Sequence, residues 1–267
     1  MGERKHIGGA TTGRLLDAGR QLARDARRRA RPVAVAVAAT GGIALAAVLA
    51  LPLPGWVSAA HAEVAAADPI DAAMRACSAR ADMSSTSGQV QCMDTARAAW
   101  KGATDIAYRQ LMTKGPDARR KGWEDSQKRW SAWRDAERPL LQAVFATTHG
   151  TAYVLSQADM ELQPVRDRAL MLRAEAARTD SVNTPPGSPG CGGDAQCEHA
   201  EFDLNRYYRR LYVRMPARSR AVLVRAERAW LAYRDATTPL VNARSRLDLI
   251  GARVATLKRL SETVGND

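Results

Sequence analysis

The chain has 267 residues, a formal net charge of +12 and four cysteines, and aromatic residues make up only 5% of it. The basic excess is shared equally, since residues 1–62 and residues 63–267 each contribute +6. The larger part is therefore mildly basic, which argues against a nucleic-acid-binding tail, and most of its arginines are expected on solvated helix faces.

The first 62 residues are predicted to be an export signal rather than part of the fold. Arginines at 27–29 and 31 precede an uncharged apolar run from Val33 to Leu53, and residues 60–62 fit a small-x-small cleavage motif. Cleavage there makes Glu63 the first mature residue of a periplasmic or secreted protein. The apolar run is also long enough to span a bilayer, so an uncleaved inner-membrane anchor facing the periplasm stays the alternative.

A repeat with a spacing of 100 residues organises the rest of the chain. The window from Tyr108 to Leu140 aligns without gaps with the window from Tyr208 to Leu240. A fixed period indicates one structural unit that is used twice. The predicted domains are repeat one at residues 63–180, a Pro/Gly-rich linker at residues 181–194 and repeat two at residues 195–267.

All four cysteines follow the signal segment, so an oxidising compartment and two disulfides are expected. Sequence alone allows three pairings. One pair stands ahead of each repeated window, which favours Cys77–Cys92 and Cys191–Cys197. The cysteine spacings do not resemble zinc-ligand pairs, and histidines are scarce, so no bound metal is expected.

The rest of the chain is predicted to be all-α, because Ala, Arg, Leu, Gln and Glu dominate and strand-like alternation is absent. Each repeat is expected to form a small antiparallel helical bundle of three helices with one disulfide. Pro164 is expected to kink or break a helix, and Pro139 and Pro239 are expected to bend one. The predicted helices are 89–114, 116–148 and 152–178 in repeat one, and 198–214, 216–246 and 248–263 in repeat two.

The second helix of each repeat carries an apolar stripe with steps of three and four residues, which predicts the face that packs against other helices. Each repeat is expected to have its own core, so that loss of its central tryptophan destabilises that repeat first. The stripe residues are Trp123, Ser126, Trp130, Trp133, Glu137 and Leu140 in repeat one, and Leu223, Ala226, Trp230, Tyr233, Thr237 and Leu240 in repeat two.

One sharp motif, Trp-x-x-aromatic-Arg-Asp-Ala, occurs in both repeats. Its aromatic residues are expected in the core, with an exposed recognition surface as the alternative. Neighbouring residues point about 100° apart on a helix, so the Arg and the Asp of each motif are expected to pair with other helices rather than with each other. The motif residues are Trp130, Trp133, Arg134 and Asp135, repeated as Trp230, Tyr233, Arg234 and Asp235.

No residue pattern typical of an active site is present in the sequence. There is no nucleophile, histidine and acid in a recognised signature, and no glycine-rich phosphate loop. Asp135 and Glu137 form a candidate carboxylate pair, but Thr237 replaces the glutamate in repeat two. The chain is therefore predicted not to be an enzyme and to have no catalytic residues, cofactor or metal.

These features together resemble a known family. Paired cysteines, Tyr-x-x-Leu, a turn, the Trp-x-x-aromatic-Arg-Asp-Ala motif and a closing Arg-x-x-x-Leu helix are similar to the LprI-like lysozyme inhibitor domain, here in two tandem copies. The closing elements are Arg168 to Leu172 and Arg253 to Leu257. The resemblance implies a small exported helical protein that binds lysozyme or another envelope protein without catalysis.

Charge bears on which partner the protein binds. Lysozymes are commonly basic, as residues 63–267 are, so repulsion is expected to slow their encounter. The alternative function is a cell-envelope adaptor that binds anionic polymers or a partner protein through arginine-rich helix faces. Nucleic acid is not expected as a partner, and membrane contact is expected only through an uncleaved N-terminal segment. The arginines of the candidate face are Arg206, Arg209, Arg210, Arg214, Arg218 and Arg220.

Overall fold

The structure, a computed structural model, describes residues 67–115, 117–178 and 191–266. The predicted export signal and most of the linker lie outside these residues. Within the described ranges the chain forms α-helices and short 3-10 turns without strands, as the composition predicts. The helices are α1 (Pro69–Ser78), α2 (Thr86–Lys114), α3 (Asp117–Phe145), α4 (Thr151–Arg178), α5 (Ala195–Arg214), α6 (Arg220–Thr237) and α7 (Ala243–Thr263).

Side-chain caps explain where several of these helices begin. The Asp194 carboxylate accepts hydrogen bonds from the backbone N–H groups of Gln196 and Cys197, and the Asn242 side chain accepts one from Ser245. Such caps satisfy backbone donors that have no partner within the helix. Among the described helices, none combines the length and the apolar character needed to cross a membrane.

The helix bounds of repeat two differ from those predicted. The second helix was expected to reach residue 246, but α6 ends at Thr237 and a 3-10 turn follows over Thr238–Leu240. Pro239 lies in that turn, just past the end of the helix, so it does not bend the helix as expected; the position suits proline, which has no N–H to donate to the helical ladder. In repeat one, by contrast, α3 continues past Pro139 to Phe145. Helix α1 was not among the predicted helices.

The helices pair in a pattern that interlocks the repeats. Within each repeat the helix before the central one packs along the closing helix, α2 with α4 and α5 with α7, whereas the central helices α3 and α6 pack mainly against each other. The Ser126 and Thr237 hydroxyls lie 2.7 Å apart, and the Arg119 guanidinium donates to the Leu240 carbonyl. These contacts show that α3 and α6 run antiparallel.

A single main core therefore includes side chains of both repeats, among them Trp130 and Trp230. The expectation that each repeat has its own core is wrong in this respect, since the central stripe of one repeat is covered by the stripe of the other. All twelve stripe side chains are buried except Leu240, which is half-buried.

A local two-fold relationship follows from one ring pair. Trp133 stacks on Tyr233 with ring centroids 5.5 Å apart and an angle of 6° between the planes. These residues occupy the same position in the two repeats, and equivalent residues meet each other only at a two-fold axis. The axis of the internal repeat therefore passes between α3 and α6.

Repeat one has one additional helix, α1, which packs against its other helices. Helix α1 packs on α2. Its Asp71 carboxylate accepts hydrogen bonds of 2.8–3.1 Å from Arg166 in α4. The guanidinium of Arg166 also lies 5.7 Å from the ring centre of buried Trp100. The position of Trp100 is occupied by Ala200 in repeat two, where the described residues include no helix equivalent to α1.

The two disulfides are those predicted. Cys77–Cys92 joins the end of α1 to α2, and Cys191–Cys197 joins the segment before α5 to its first turn. No cysteine of the chain is free.

Candidate functional site

Two buried arginines lie on either side of the local two-fold axis. Arg168 in α4 and Arg253 in α7 are 1% and 2% exposed, and they occupy equivalent positions in the closing helices. Arginine is almost never fully buried unless its charge and donors are matched. Their surroundings therefore show how the repeats are held together.

Arg253 is neutralised by two carboxylates from different repeats. Its guanidinium donates to Glu137 at 2.7 Å and to Glu227 at 2.8 and 3.0 Å. Burial acts to lower the pKa of Arg253, but the two glutamates raise it above the ordinary value of an arginine. Glu137 also accepts a 3.1 Å hydrogen bond from the Trp133 indole, which orients its carboxylate.

Arg168 has the same position but only neutral partners. It donates to the Gln127 side-chain oxygen at 2.9 and 3.1 Å, to the Ser126 hydroxyl at 3.1 Å and to the Tyr233 hydroxyl at 3.4 Å. Burial lowers the pKa of Arg168, and Tyr233 opposes this only in part. Burial also disfavours the charged form of Tyr233, which raises the pKa of its hydroxyl.

The two arginine sites are equivalent in position and unequal in charge. Gln127 and Thr237 in the Arg168 site correspond to Glu227 and Glu137 in the Arg253 site. The Arg253 site therefore carries one negative charge in excess and the Arg168 site one positive charge. Taken together, the two arginines and the two glutamates balance across the axis.

The charged residues of the sequence motif behave differently in the two repeats. Arg134 donates to the Glu161 backbone carbonyl at 2.9 Å, and burial lowers its pKa. Arg234 instead binds Glu201 at 3.0 Å and its own neighbour Asp235 at 2.8 Å. The expectation that Arg and Asp of one motif cannot pair is wrong for repeat two, because the long arginine side chain reaches the carboxylate of its neighbour as well as Glu201.

The two carboxylates considered as a candidate pair do not lie together in the structure. Glu137 is buried against Arg253, whereas Asp135 is exposed and makes no hydrogen bond or ion pair with another described residue. Neighbouring helix positions thus direct the two carboxylates into different environments. The described residues likewise hold no cluster of three His, Cys, Asp or Glu side chains that suits a metal ion.

An open groove of about 550 Å³ lies between the closing helices α4 and α7. This volume is in the range of sites that take a ligand or a group of partner side chains. The four aromatic residues of the two motifs line the groove, and its walls are mainly apolar, with Met160, Pro164, Leu170, Met171 and Leu249 among them.

The groove lies on the local two-fold axis. Every lining residue of repeat one has its counterpart in the lining of repeat two, at an offset of 100 residues in the central helices and 85 residues in the closing helices. The pairs are 130/230, 133/233, 160/245, 163/248, 164/249, 167/252, 168/253, 170/255, 171/256 and 174/259.

The mouth of the groove holds one carboxylate without a close partner. Asp248 pairs with Arg244 at 3.1 Å, and Arg259 pairs with Asp159 at 2.5 Å. Asp167 is 47% exposed, and its nearest cation, Arg166, lies 4.0 Å away and is committed to Asp71. Partial burial raises the pKa of Asp167, which Arg166 opposes.

Sequence reasoning identified the aromatic residues of this groove but missed its ionic part. The stripe predicts an inward-facing Glu137 and the closing-helix motif includes Arg168 and Arg253, but neither pattern predicts the contact between Glu137 and Arg253. The signal was present in the repeat itself, because glutamates replace Gln127 and Thr237 together at the two positions that face Arg253.

Comparison with known proteins identifies the family. The model of the family "Lysozyme inhibitor LprI" matches residues 77–172 and 193–262, one segment in each repeat. A crystal structure of an uncharacterized protein from Burkholderia thailandensis is 56% identical, with a TM-score of 0.73, and the match covers 75% of this chain and 100% of that chain. Among curated proteins, none matches this chain significantly. Since the family match spans more than half of the sequence, the protein belongs to the lysozyme inhibitor LprI family.

Proposed function

We propose that this protein is exported and inhibits a lysozyme by stoichiometric binding, without catalysis of its own. The observation that carries the proposal is the family match over both repeats. Two disulfides and the signal-like N-terminal sequence support a location in the periplasm or outside the cell, where a lysozyme acts.

We place the contact with lysozyme at the groove on the two-fold axis. Apolar walls and aromatic residues in a concave site are the features that anchor partner side chains. The groove is assembled from both repeats, which gives a reason for the tandem arrangement, since neither repeat alone forms both of its walls.

The charge at the mouth suits a basic partner. Asp167 is a half-exposed carboxylate without a close cation, so a lysine or arginine beside an apolar side chain of lysozyme gains an ion pair there. The chain as a whole is basic, so this carboxylate supplies local attraction against a background of long-range repulsion.

Inhibition is tested with the exported protein, its disulfides intact, in an assay of cell-wall lysis. Stoichiometric binding predicts that residual lysozyme activity falls in proportion to added protein and reaches its floor near one equivalent, when both concentrations exceed Kd. An unchanged lysis rate at tenfold excess, checked against lysozymes from several sources, contradicts the proposal.

The groove is tested by filling it. Ala174 and Ala255 are exposed alanines on its two opposite walls, so tryptophan at either position occupies the groove without crowding the core. We expect Ala174→Trp and Ala255→Trp to weaken inhibition at least about tenfold by steric exclusion. The control is Ala98→Trp, an exposed alanine on α2 outside the groove, and equal inhibition by all three variants contradicts this location.

A second candidate function is an adaptor for anionic envelope polymers. It is favoured by Arg209, Arg210 and Arg214, which are exposed on α5 and have no ion pair with another described residue. Such binding is electrostatic and falls steeply as salt rises. A polyanion-binding series over salt concentration, with no effect on lysozyme, supports this function over inhibition.

A further inference from the structure

Helix α5 carries three of the five large hydrophobic side chains that are exposed among the described residues. Their exposed large hydrophobic side chains are Ile106, Val154, Phe202, Tyr212 and Val213, and the last three belong to α5. Phe202 is 64% exposed and Val213 is 71% exposed. Single exposed apolar side chains are common on protein surfaces, so it is their concentration on one helix that marks a candidate interaction surface.

Two of these apolar side chains, Phe202 and Val213, flank two arginines along one face. Phe202, Arg206, Arg209 and Val213 follow steps of four, three and four residues, which places them on a single stripe of the helix. All four are exposed. From Phe202 to Val213 the stripe extends about 16 Å along the helix axis.

The arginines around the stripe are mostly unneutralised. Arg206 lies 3.6 Å from Asp203, while the neighbouring Arg209, Arg210 and Arg214 are exposed without an ion pair to any other described residue. The stripe thus offers several positive charges at the level of its exposed aromatic and aliphatic side chains.

The equivalent helix of repeat one has no such stripe. At the positions of Phe202, Arg206, Arg209 and Val213, helix α2 has Gly102, Ile106, Arg109 and Thr113. The combination of large apolar side chains with several arginines is therefore specific to α5, and the scaffold does not require it, since α2 packs in the same way without it.

We propose that α5 lies on the surface of an anionic lipid bilayer, with Phe202 and Val213 at the boundary of headgroups and acyl chains and the arginines on lipid phosphates. Helices with basic residues beside exposed aromatic and aliphatic side chains bind membrane interfaces in this way. A soluble polyanion uses the arginines alone, whereas a bilayer also accepts the apolar side chains. This contact is separate from the N-terminal segment and from lysozyme binding.

The test is sedimentation with lipid vesicles, using the exported protein. Vesicles of 30% phosphatidylglycerol in phosphatidylcholine are compared with vesicles of pure phosphatidylcholine and with soluble polyglutamate. We expect the protein to bind the anionic vesicles at least about tenfold more tightly than the neutral ones, because each basic residue near an anionic surface adds attraction.

Matched variants separate a bilayer contact from general electrostatics. The double substitution Phe202→Ser and Val213→Ser is expected to lower binding to anionic vesicles at least about tenfold and to leave polyglutamate binding unchanged. The control is Ile106→Ser with Val154→Ser, since those side chains are similarly exposed, at 53% and 51%, on other helices. All variants share one N-terminus, so differences among them report on α5.

Three outcomes overturn the proposal. The first is no preference of the wild-type protein for anionic vesicles. The second is a Phe202/Val213 variant that binds vesicles as the wild type does, which indicates an electrostatic polyanion site. The third is an equal loss in the Ile106/Val154 control, which indicates non-specific adsorption. Circular dichroism of each variant checks that the fold is retained, as expected for exposed positions.

Discussion

The Glu137 carboxylate of the first repeat and the Arg253 guanidinium of the second lie 2.7 Å apart, and neither side chain exposes more than 2% of its surface. Separating the repeats would place this ion pair in water or leave each charge unpaired in a core. A buried pair is weak evidence of net stability, but removal of one partner is costly. The contact therefore specifies how the two repeats fit together.

Removal of Arg253 and removal of Arg168 should lower the free energy of unfolding by different amounts, because the two sites differ in charge. Arg253→Met leaves Glu137 and Glu227 buried without a cation, so we expect a loss of about 3–5 kcal/mol in the free energy of unfolding. Arg168→Met leaves only neutral partners and should cost about 1–3 kcal/mol. Urea unfolding of both variants measures the difference, and equal losses would contradict the charge assignment.

Substitution of either motif tryptophan should destabilise the whole molecule rather than one repeat. Trp130 and Trp230 are 9% and 1% exposed in one shared core, so Trp130→Ala and Trp230→Ala should each cost about 3–5 kcal/mol. Calorimetry should show a single transition at a lower temperature for each variant. Two separated transitions would mean that the repeats unfold independently despite the shared core.

Much of the helical architecture was predictable because its signals are local. Helix content follows from residue propensity, the repeat indicates one unit used twice, and the stripe through Trp130 and Trp133 marks the inner face. Which helix packs against which was not predictable in the same way. The stripe of α3 is equally compatible with the helices of its own repeat and with α6, because an apolar face does not specify what covers it.

The same limit explains the missed ionic site. In the sequence, Glu137 is an isolated charged residue on an apolar stripe. Its partner Arg253 lies 116 residues later and comes beside it only in the fold. Asp235 shows the converse case, since ideal helix angles exclude a contact that the flexible side chain of Arg234 makes.

Acid should remove the contribution of the contact between α1 and α4. Hydrogen bonds from Arg166 lower the pKa of Asp71 below its ordinary value near 3.8, against the effect of burial. Stability from this carboxylate is therefore present above pH 4 and is lost as the pH falls through the lowered pKa.

Asp71→Asn should accordingly cost about 1–2 kcal/mol at pH 7, a figure reduced for the partial exposure of Arg166. The difference from wild type should shrink below pH 4, which urea unfolding over a pH series measures. Asp82→Asn, at the exposed pair with Arg80, is the matched control and should show no measurable change. A difference that does not shrink as the pH falls below 4 would contradict the role of the ionised carboxylate.

The two disulfides should contribute unequally. Cys77–Cys92 closes a separation of 15 residues and Cys191–Cys197 one of 6 residues. Loop entropy assigns about 3 kcal/mol to the first and about 2 kcal/mol to the second. Replacement of each pair by alanine, followed by thermal unfolding, checks this order, and a larger loss at Cys191–Cys197 would show that it does more than close a loop.

Salt should separate the two candidate functions by the sign of its effect. Residues 63–267 carry a formal charge of +6, so a basic lysozyme is repelled at long range and the association rate should rise as salt screens that repulsion. Ion pairs formed inside the groove are screened much less, so the dissociation rate should change little. Polyanion binding through the arginines of α5 should instead weaken steeply over the same range.

Stopped-flow association with lysozyme and a polyanion titration, both from low salt to about 0.5 M, measure the two signs. A lysozyme association rate that falls with salt would mean that attraction at sites such as Asp167 governs the encounter rather than net charge.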